Sequence, residues 1–156
     1  GLNYYSHSYM KFKERKHRSC TMTADEPMSD NPNYSIYPEG LYRAIVEISQ
    51  NLTRKNGKDI PIYITENGIA DGTDQRRQQF LPRVLFVINK ALKDGYNIIG
   101  YSHWSFMDNW EWGTFGVKYG LFAVDFAGGT LERTWRPSAR LYQDLVHRHR
   151  ARWELD

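Results

Sequence analysis

The sequence has 156 residues and a mass of 18.4 kDa, room for one domain with a real core but not for two. Lys and Arg total 21 against 18 Asp and Glu, and a net charge of +3 argues against a densely basic nucleic-acid face. A mean hydropathy of -0.69, with no run near ~20 apolar residues, argues against a membrane span, and 25% charged residues argue against wholesale disorder. The single cysteine, Cys20, excludes an internal disulfide framework and fits a reducing, cytoplasmic location. Aromatic residues reach 15%, with 5 Trp and 11 Tyr, which is more than core filling requires.

The chain opens on Gly1-Leu2-Asn3-Tyr4-Tyr5, which reads as the end of a strand and raises the expectation of a piece of something larger. No secretory signal is recognisable in it. Residues Lys11 to Asn33 lack any apolar period and read as a long loop containing the basic run Lys11 to Arg18. Leu41, Ala44, Ile45 and Ile48 then recur at three- and four-residue spacing, which predicts a helix from Gly40 to about Leu52. Ile60 to Thr65 is an uninterrupted apolar, β-branched run, the pattern of a parallel strand buried on both faces. A second helix is predicted from about Asp74 to Lys93, with Phe80, Leu81, Val84, Leu85, Ile88 and Leu92 on its buried side. Pro82 removes one backbone bond there, so a kink or a helix start nearby is expected. Asn97 to Ser105 is the next buried strand, and Gly120 to Asp125 is a candidate extra one. A last helix begins near Pro137 and trails into the charged tail His147 to Arg152.

Strand and helix thus alternate three times, which argues for parallel α/β architecture. A closed (β/α)8 barrel typically needs ~250 residues, so the chain reads as three consecutive βα units. Catalytic groups of such barrels sit at the carboxyl ends of the strands. That rule marks Asn3-Tyr4-Tyr5, Glu66-Asn67, and Trp104 with the loop after it. A glutamate after a strand is by itself most often a solvated loop carboxylate, and clustered Trp residues often just pack.

Longer strings change those odds. Ile62-Tyr63-Ile64-Thr65-Glu66-Asn67-Gly68 resembles the nucleophile signature of glycoside hydrolase family 1, the β-glucosidase and β-galactosidase family. Asn3-Tyr4-Tyr5 is similar to that family's sixth-strand motif, and Tyr37-Pro38-Glu39-Gly40-Leu41-Tyr42 to the segment before its nucleophile strand. Asp74, Arg77, Phe80 and Leu81 match the following helix. Ser102-His103-Trp104-Ser105-Phe106-Met107-Asp108-Asn109-Trp110-Glu111-Trp112 resembles the eighth-strand sugar-binding motif, and Tyr119 to Phe126 the closing hairpin. The resemblance runs through nearly the whole chain in the family's order and is weakest over the Lys11–Asn33 loop.

The resemblance implies the sixth to eighth βα units of a (β/α)8 TIM barrel, residues 1–156 being the C-terminal part of a single glycosidase barrel domain. It implies a retaining β-glycosidase in which Glu66 is the nucleophile and Tyr5 hydrogen-bonds it, holding the carboxylate ionised. It also implies that Asn3 helps order the cluster, that Trp104 and Trp112 offer ring faces to a pyranose, and that Glu111 accepts from sugar hydroxyls. The expected partners are a β-glycoside or oligosaccharide substrate and a complementary N-terminal segment of the barrel, with no nucleic acid and no membrane. No cofactor is expected, and no His/Cys/Asp spacing suggests a metal site. His103 reads as an oriented structural residue, His147 and His149 as solvated, and the sequons at Asn33 and Asn51 as accidental.

The family's acid/base glutamate lies in an Asn-Glu-Pro motif after the fourth strand. Asp25-Glu26-Pro27 mimics it but falls on the wrong side of Asn3-Tyr4-Tyr5 in chain order, so it is not assigned that role. The compact loop Gly113 to Lys118 leaves preference among glucose, galactose and fucose open. The rival class is a non-catalytic carbohydrate- or nucleic-acid-binding module using rings and the basic runs Lys11–Arg18 and Arg148–Arg152. Nucleic-acid binding of that kind would weaken steeply with salt and survive Glu66→Gln.

Overall fold

The computed structural model describes residues 1–7, 11–13, 17–19, 27–52, 57 and 59–153. Its centre is a three-stranded parallel sheet of β1 (Leu2–Asn3), β4 (Ile62–Asn67) and β5 (Ile98–His103), in the order β1-β4-β5. Helix α1 (Gly40–Asn51) lies in sequence between β1 and β4, and α2 (Gln75–Lys93) between β4 and β5. Each crossover therefore carries a helix, as parallel pairing requires. The core joins Ile62 and Ile64 of the sheet to Leu41 and Ile45 of α1 and to Phe80, Val84, Val87, Ile88 and Ala91 of α2.

The strand predicted at Ile60–Thr65 is observed at Ile62–Asn67. Pro61 has no backbone N–H to contribute at the start. At the other end the ladder continues, because the Glu66 carbonyl accepts from the Tyr4 N–H at 3.0 Å and the Asn67 carbonyl from the Trp104 N–H at 2.9 Å. The expectation of burial on both faces is corrected. Ile62 and Ile64 are buried, whereas Tyr63 and Thr65 are exposed, because the helices cover only one face. Asn3, Tyr63, Thr65 and Ile99 are all exposed along the sheet.

Helix α2 runs unbroken through Pro82, which lies exposed on it, so the proline neither starts nor ends the helix. Close packing of Phe80, Leu81 and Val84 on either side of Pro82 offsets the lost bond. The predicted buried side needs two corrections: Leu92 is exposed and Leu85 only half-buried, while Val87 and Ala91 are buried.

The segment read as one long loop contains an antiparallel ribbon of β2 (Lys11–Lys13) and β3 (His17–Ser19). Antiparallel backbone pairing needs no apolar period in the sequence, so none announces the ribbon. Asp25 and Glu26 lie outside the described residues, as does Cys20. The candidate extra strand is β6 (Phe122–Val124), paired antiparallel with β7 (Arg133–Trp135). Helix α3 (Pro137–Trp153) extends through the residues expected as a trailing tail and packs on α2 through Leu81 and Ala139, with Leu121 from just before β6 in the same cluster. Among the described residues no helix is long and apolar enough to cross a membrane.

The three sheet strands are pinned together at their carboxyl ends by Asn67, which is fully buried. Its side-chain nitrogen donates to the Tyr4 carbonyl at 2.7 Å, and its oxygen accepts from the Tyr101 hydroxyl at 3.1 Å. Gly68 follows, and a Cβ there would stand 1.8 Å from the Trp104 carbonyl oxygen. Backbone cannot yield as a flexible side chain can. Gly68→Ala should therefore force β4 and the Trp104 segment apart and cost about 3 kcal/mol, the upper range for overpacking. Thermal unfolding by circular dichroism should register a midpoint roughly 6–12 °C lower; an unchanged midpoint would refute the close approach.

Candidate active site

The carboxyl ends of β1, β4 and β5 converge on one cavity of about 530 Å³ lined by Asn3, Tyr5, Tyr34, Glu66, Trp104, Trp110, Glu111, Trp112 and Tyr119. All six residues singled out from the sequence are among them. Parallel register accounts for the convergence: Asn3 pairs with Glu66, and Asn67 with His103, so the three chains leave the sheet at one level.

The innermost contact is between Tyr5 and Glu66. The Tyr5 hydroxyl donates to Glu66 Oε2 at 2.7 Å, a short bond of the charge-assisted kind. Burial, and then the bond to Glu66, push the Tyr5 phenol far above its ordinary range, so it stays a neutral donor. Asn3 stands level with Glu66 on the neighbouring strand, and its side-chain oxygen accepts from the Thr65 hydroxyl at 2.6 Å. That bond ties β1 to β4 immediately beneath Glu66.

The opposite wall comes from the loop after β5. The Trp104 indole N–H donates to Glu111 Oε1 at 2.9 Å. The ring that walls the pocket thus also partners the carboxylate. Glu111 is 9% exposed, and burial raises its carboxyl above the ordinary value, with the Glu66 charge adding to the rise and the Trp104 bond opposing it. Its backbone is held by reciprocal bonds with Thr114 at 2.9 and 3.2 Å. Trp112 stands on the rim, 97% exposed, with φ at 46°. The left-handed backbone costs a non-glycine residue of order 1 kcal/mol and turns this ring outward.

Three lining residues carried no role in the sequence reading: Tyr34, Trp110 and Tyr119. Trp110 and Tyr119 lie inside strings that were recognised, and Tyr34 only within a sequon. No spacing rule links residue 34 to residue 5, yet their rings stack at 5.6 Å and 18°. Tyr119 meets Tyr5 edge-on at 6.0 Å and 82°, and burial pushes its phenol up to about 12.

Beneath the pocket, His103 lies beside Tyr142 and within 3.4 Å of the Tyr101 hydroxyl, with its Nε2 buried and unpartnered. Burial, reinforced by the Arg77 charge, lowers its pKa to about 3. The folded state thus holds the neutral ring, while the unfolded chain takes up a proton near pH 6.5. Stability contributed by His103 is intact above pH 6.5 and falls as pH drops towards 3, by at most ~1.4 kcal/mol per unit. His103→Leu should flatten the pH dependence of the urea midpoint across that window; equal slopes in both proteins would contradict a buried neutral ring.

Fold and pocket together define the class: a parallel βα layer with an acidic, ring-lined cavity at the carboxyl ends of its strands. The chain belongs to glycosyl hydrolase family 1, whose family model matches residues 1–151. A β-galactosidase of Sulfolobus acidocaldarius is 32% identical over 168 residues, covering 100% of this chain and 32% of the relative. The chloroplastic β-glucosidase-like SFR2 of Oryza sativa is 35% identical over 152 residues, covering 94% and 21%. Among solved structures, a β-glycosidase from Pyrococcus horikoshii superposes with a TM-score of 0.78 at 36% identity, covering 93% of this chain and 33% of its own. A Thermotoga maritima β-glucosidase in complex with azafagomine gives 0.81 at 29% identity, covering 94% and 34%. These solved relatives are TIM-barrel β-glycosidases, and the chain shares their α/β architecture. It spans about a third of the length of the first curated relatives it matches.

Proposed function

We propose that the chain supplies the sixth to eighth βα units of a (β/α)8 barrel that hydrolyses β-glycosides with retention, using Glu66 as nucleophile. The observation that carries this reading is the 2.7 Å bond from the Tyr5 hydroxyl to Glu66 Oε2 at the carboxyl end of the sheet. It occupies one carboxylate oxygen and leaves the other to attack. The family membership of residues 1–151 supports it.

In this mechanism Glu66 attacks the anomeric carbon as the glycosidic C–O bond breaks, giving a glycosyl ester on Glu66. The departing oxygen takes its proton from a carboxylic acid on a complementary barrel segment. The same carboxylate then removes a proton from water, which attacks the anomeric carbon and frees Glu66. Donation from Tyr5 aims the carboxylate before attack and weakens as the ester forms.

The sugar would lie against Trp104 and the outward ring of Trp112. Glu111, fixed by the Trp104 N–H, would accept from its hydroxyls, and Asn3 orders the strand end beneath Glu66. The open face of the sheet, with Tyr63 and Thr65, would line the barrel interior once the complementary segment closes it. On that reading residues 1–156 are one part of a single glycosidase domain. Treating the assembled enzyme with a 2-fluoro β-glycoside and mapping the adduct by mass spectrometry should find the sugar on Glu66. An adduct on any other carboxylate sinks the assignment.

A further inference from the structure

The loop from residue 27 to residue 37 makes two contacts with the pocket that a merely connecting segment would not need. Tyr34 lies flat on the Tyr5 ring. Asn31 reaches Tyr119, the ring that meets Tyr5 edge-on. The Asn31 amide is oriented at both ends: its oxygen accepts from the Asn33 N–H at 3.0 Å, so its nitrogen faces the Tyr119 hydroxyl at 3.2 Å. The loop is itself fastened beside the nucleophile strand. The Asp30 N–H donates to the Ala70 carbonyl at 2.9 Å, the Gly72 N–H to Asp30 Oδ2 at 2.7 Å, and Arg76 to the Met28 carbonyl at 2.7 Å.

We propose that Asn31, Tyr34 and Tyr119 are positioning residues that act through Tyr5, fixing the angle at which its hydroxyl meets Glu66. A ring held on one face and one edge keeps little freedom about its side-chain bonds. A bond of 2.7 Å to a carboxylate weakens quickly when its donor swings. The collar therefore stabilises the reacting geometry through Tyr5, although Tyr34 and Tyr119 also line the cavity. Its effect belongs in the bond-making step and not in substrate affinity.

The inference rests on the reading of Glu66 as nucleophile, so its test has one arm that needs no catalysis. In the full chain, ring-flip rates of labelled Tyr5 measured by NMR should rise in Asn31→Ala and in Tyr119→Phe. Tyr119→Phe keeps the ring and its packing, so it remains informative if Asn31→Ala folds poorly. In the assembled enzyme each variant should lower kcat roughly 5-fold, as expected for one lost hydrogen bond, with KM unchanged. The double variant should lose no more than either single, because both remove one interaction. In a Tyr5→Phe background neither should have a further effect on kcat. Unchanged ring flips, losses that multiply in the Tyr5→Phe background, or a rise in KM alone would each overturn the proposal. Faster ring flips together with a fluoro-sugar adduct away from Glu66 would overturn the nucleophile assignment while leaving the collar intact.

Discussion

Glu66→Gln in the assembled enzyme should abolish turnover, lowering kcat on the order of 10⁴–10⁶-fold, the range for loss of a covalent nucleophile. The amide has nearly the carboxylate's shape, and its oxygen can still accept from the Tyr5 hydroxyl. The strand end should therefore keep its geometry. What disappears is the negative oxygen that forms the ester. Tyr5→Phe is the informative companion. It leaves the nucleophile but removes the 2.7 Å donor, and it should cost roughly 10–100-fold, the equivalent of one hydrogen bond to a charged group. Steady-state assays with nitrophenyl glycosides check both. A Glu66→Gln enzyme within 10-fold of the parent would end the retaining mechanism proposed here.

The second large effect separates the chain from its assembly. Alone, it should hydrolyse nitrophenyl glycosides at least ~10²–10⁴-fold more slowly than with the complementary segment, because Glu66 cannot both attack and protonate the leaving group. Geometry adds a physical signature. In the order β1-β4-β5, strands β1 and β5 each have one hydrogen-bonded neighbour in the sheet, and apolar parallel edges recruit partners. On size exclusion the isolated chain should elute as self-associated species and shift to a one-to-one complex when the segment is added, with activity appearing at the same ratio. A soluble, fully active monomer would show that a carboxylate within this chain supplies the proton.

The elements that position the site were legible where local chemistry repeats. Ile62 and Ile64 announced β4 through β-branching, and the stripe of Leu41, Ala44, Ile45 and Ile48 announced α1. Glu66 and Trp104 stood out because strands of this class end in function. Legibility ends where the deciding partner lies far along the chain. Tyr34 is brought to Tyr5, and Asn31 to Tyr119, only by the fold. The apparent double burial of β4 came from Tyr63, which is apolar enough to continue the pattern yet points to the open face, with its hydroxyl 2.9 Å from Ser102. Trp112 is legible as a ring for a sugar through the resemblance, but composition says nothing about the left-handed φ that accompanies its full exposure on the rim. The family was recognisable from the strings around these residues, and residues 1–151 match it.

Arg77 touches no lining residue of the cavity through its charged end, yet it holds two of the cavity's walls at a fixed separation. Its guanidinium is fully buried, paired with Asp74, and donates to the Asp71 carbonyl at 2.9 Å and the Lys118 carbonyl at 2.7 Å. Asp71 lies just beyond the Glu66 strand, and Lys118 directly precedes Tyr119. Asp74 in turn accepts from the Ser138 N–H at 2.8 Å, so the start of α3 is gauged from the same point. The joint works like the pivot of a pair of calipers. In a selection for altered sugar preference, changes at positions 74, 77 and 138 should surface beside those in the pocket, since a fraction of an ångström there resets the jaw.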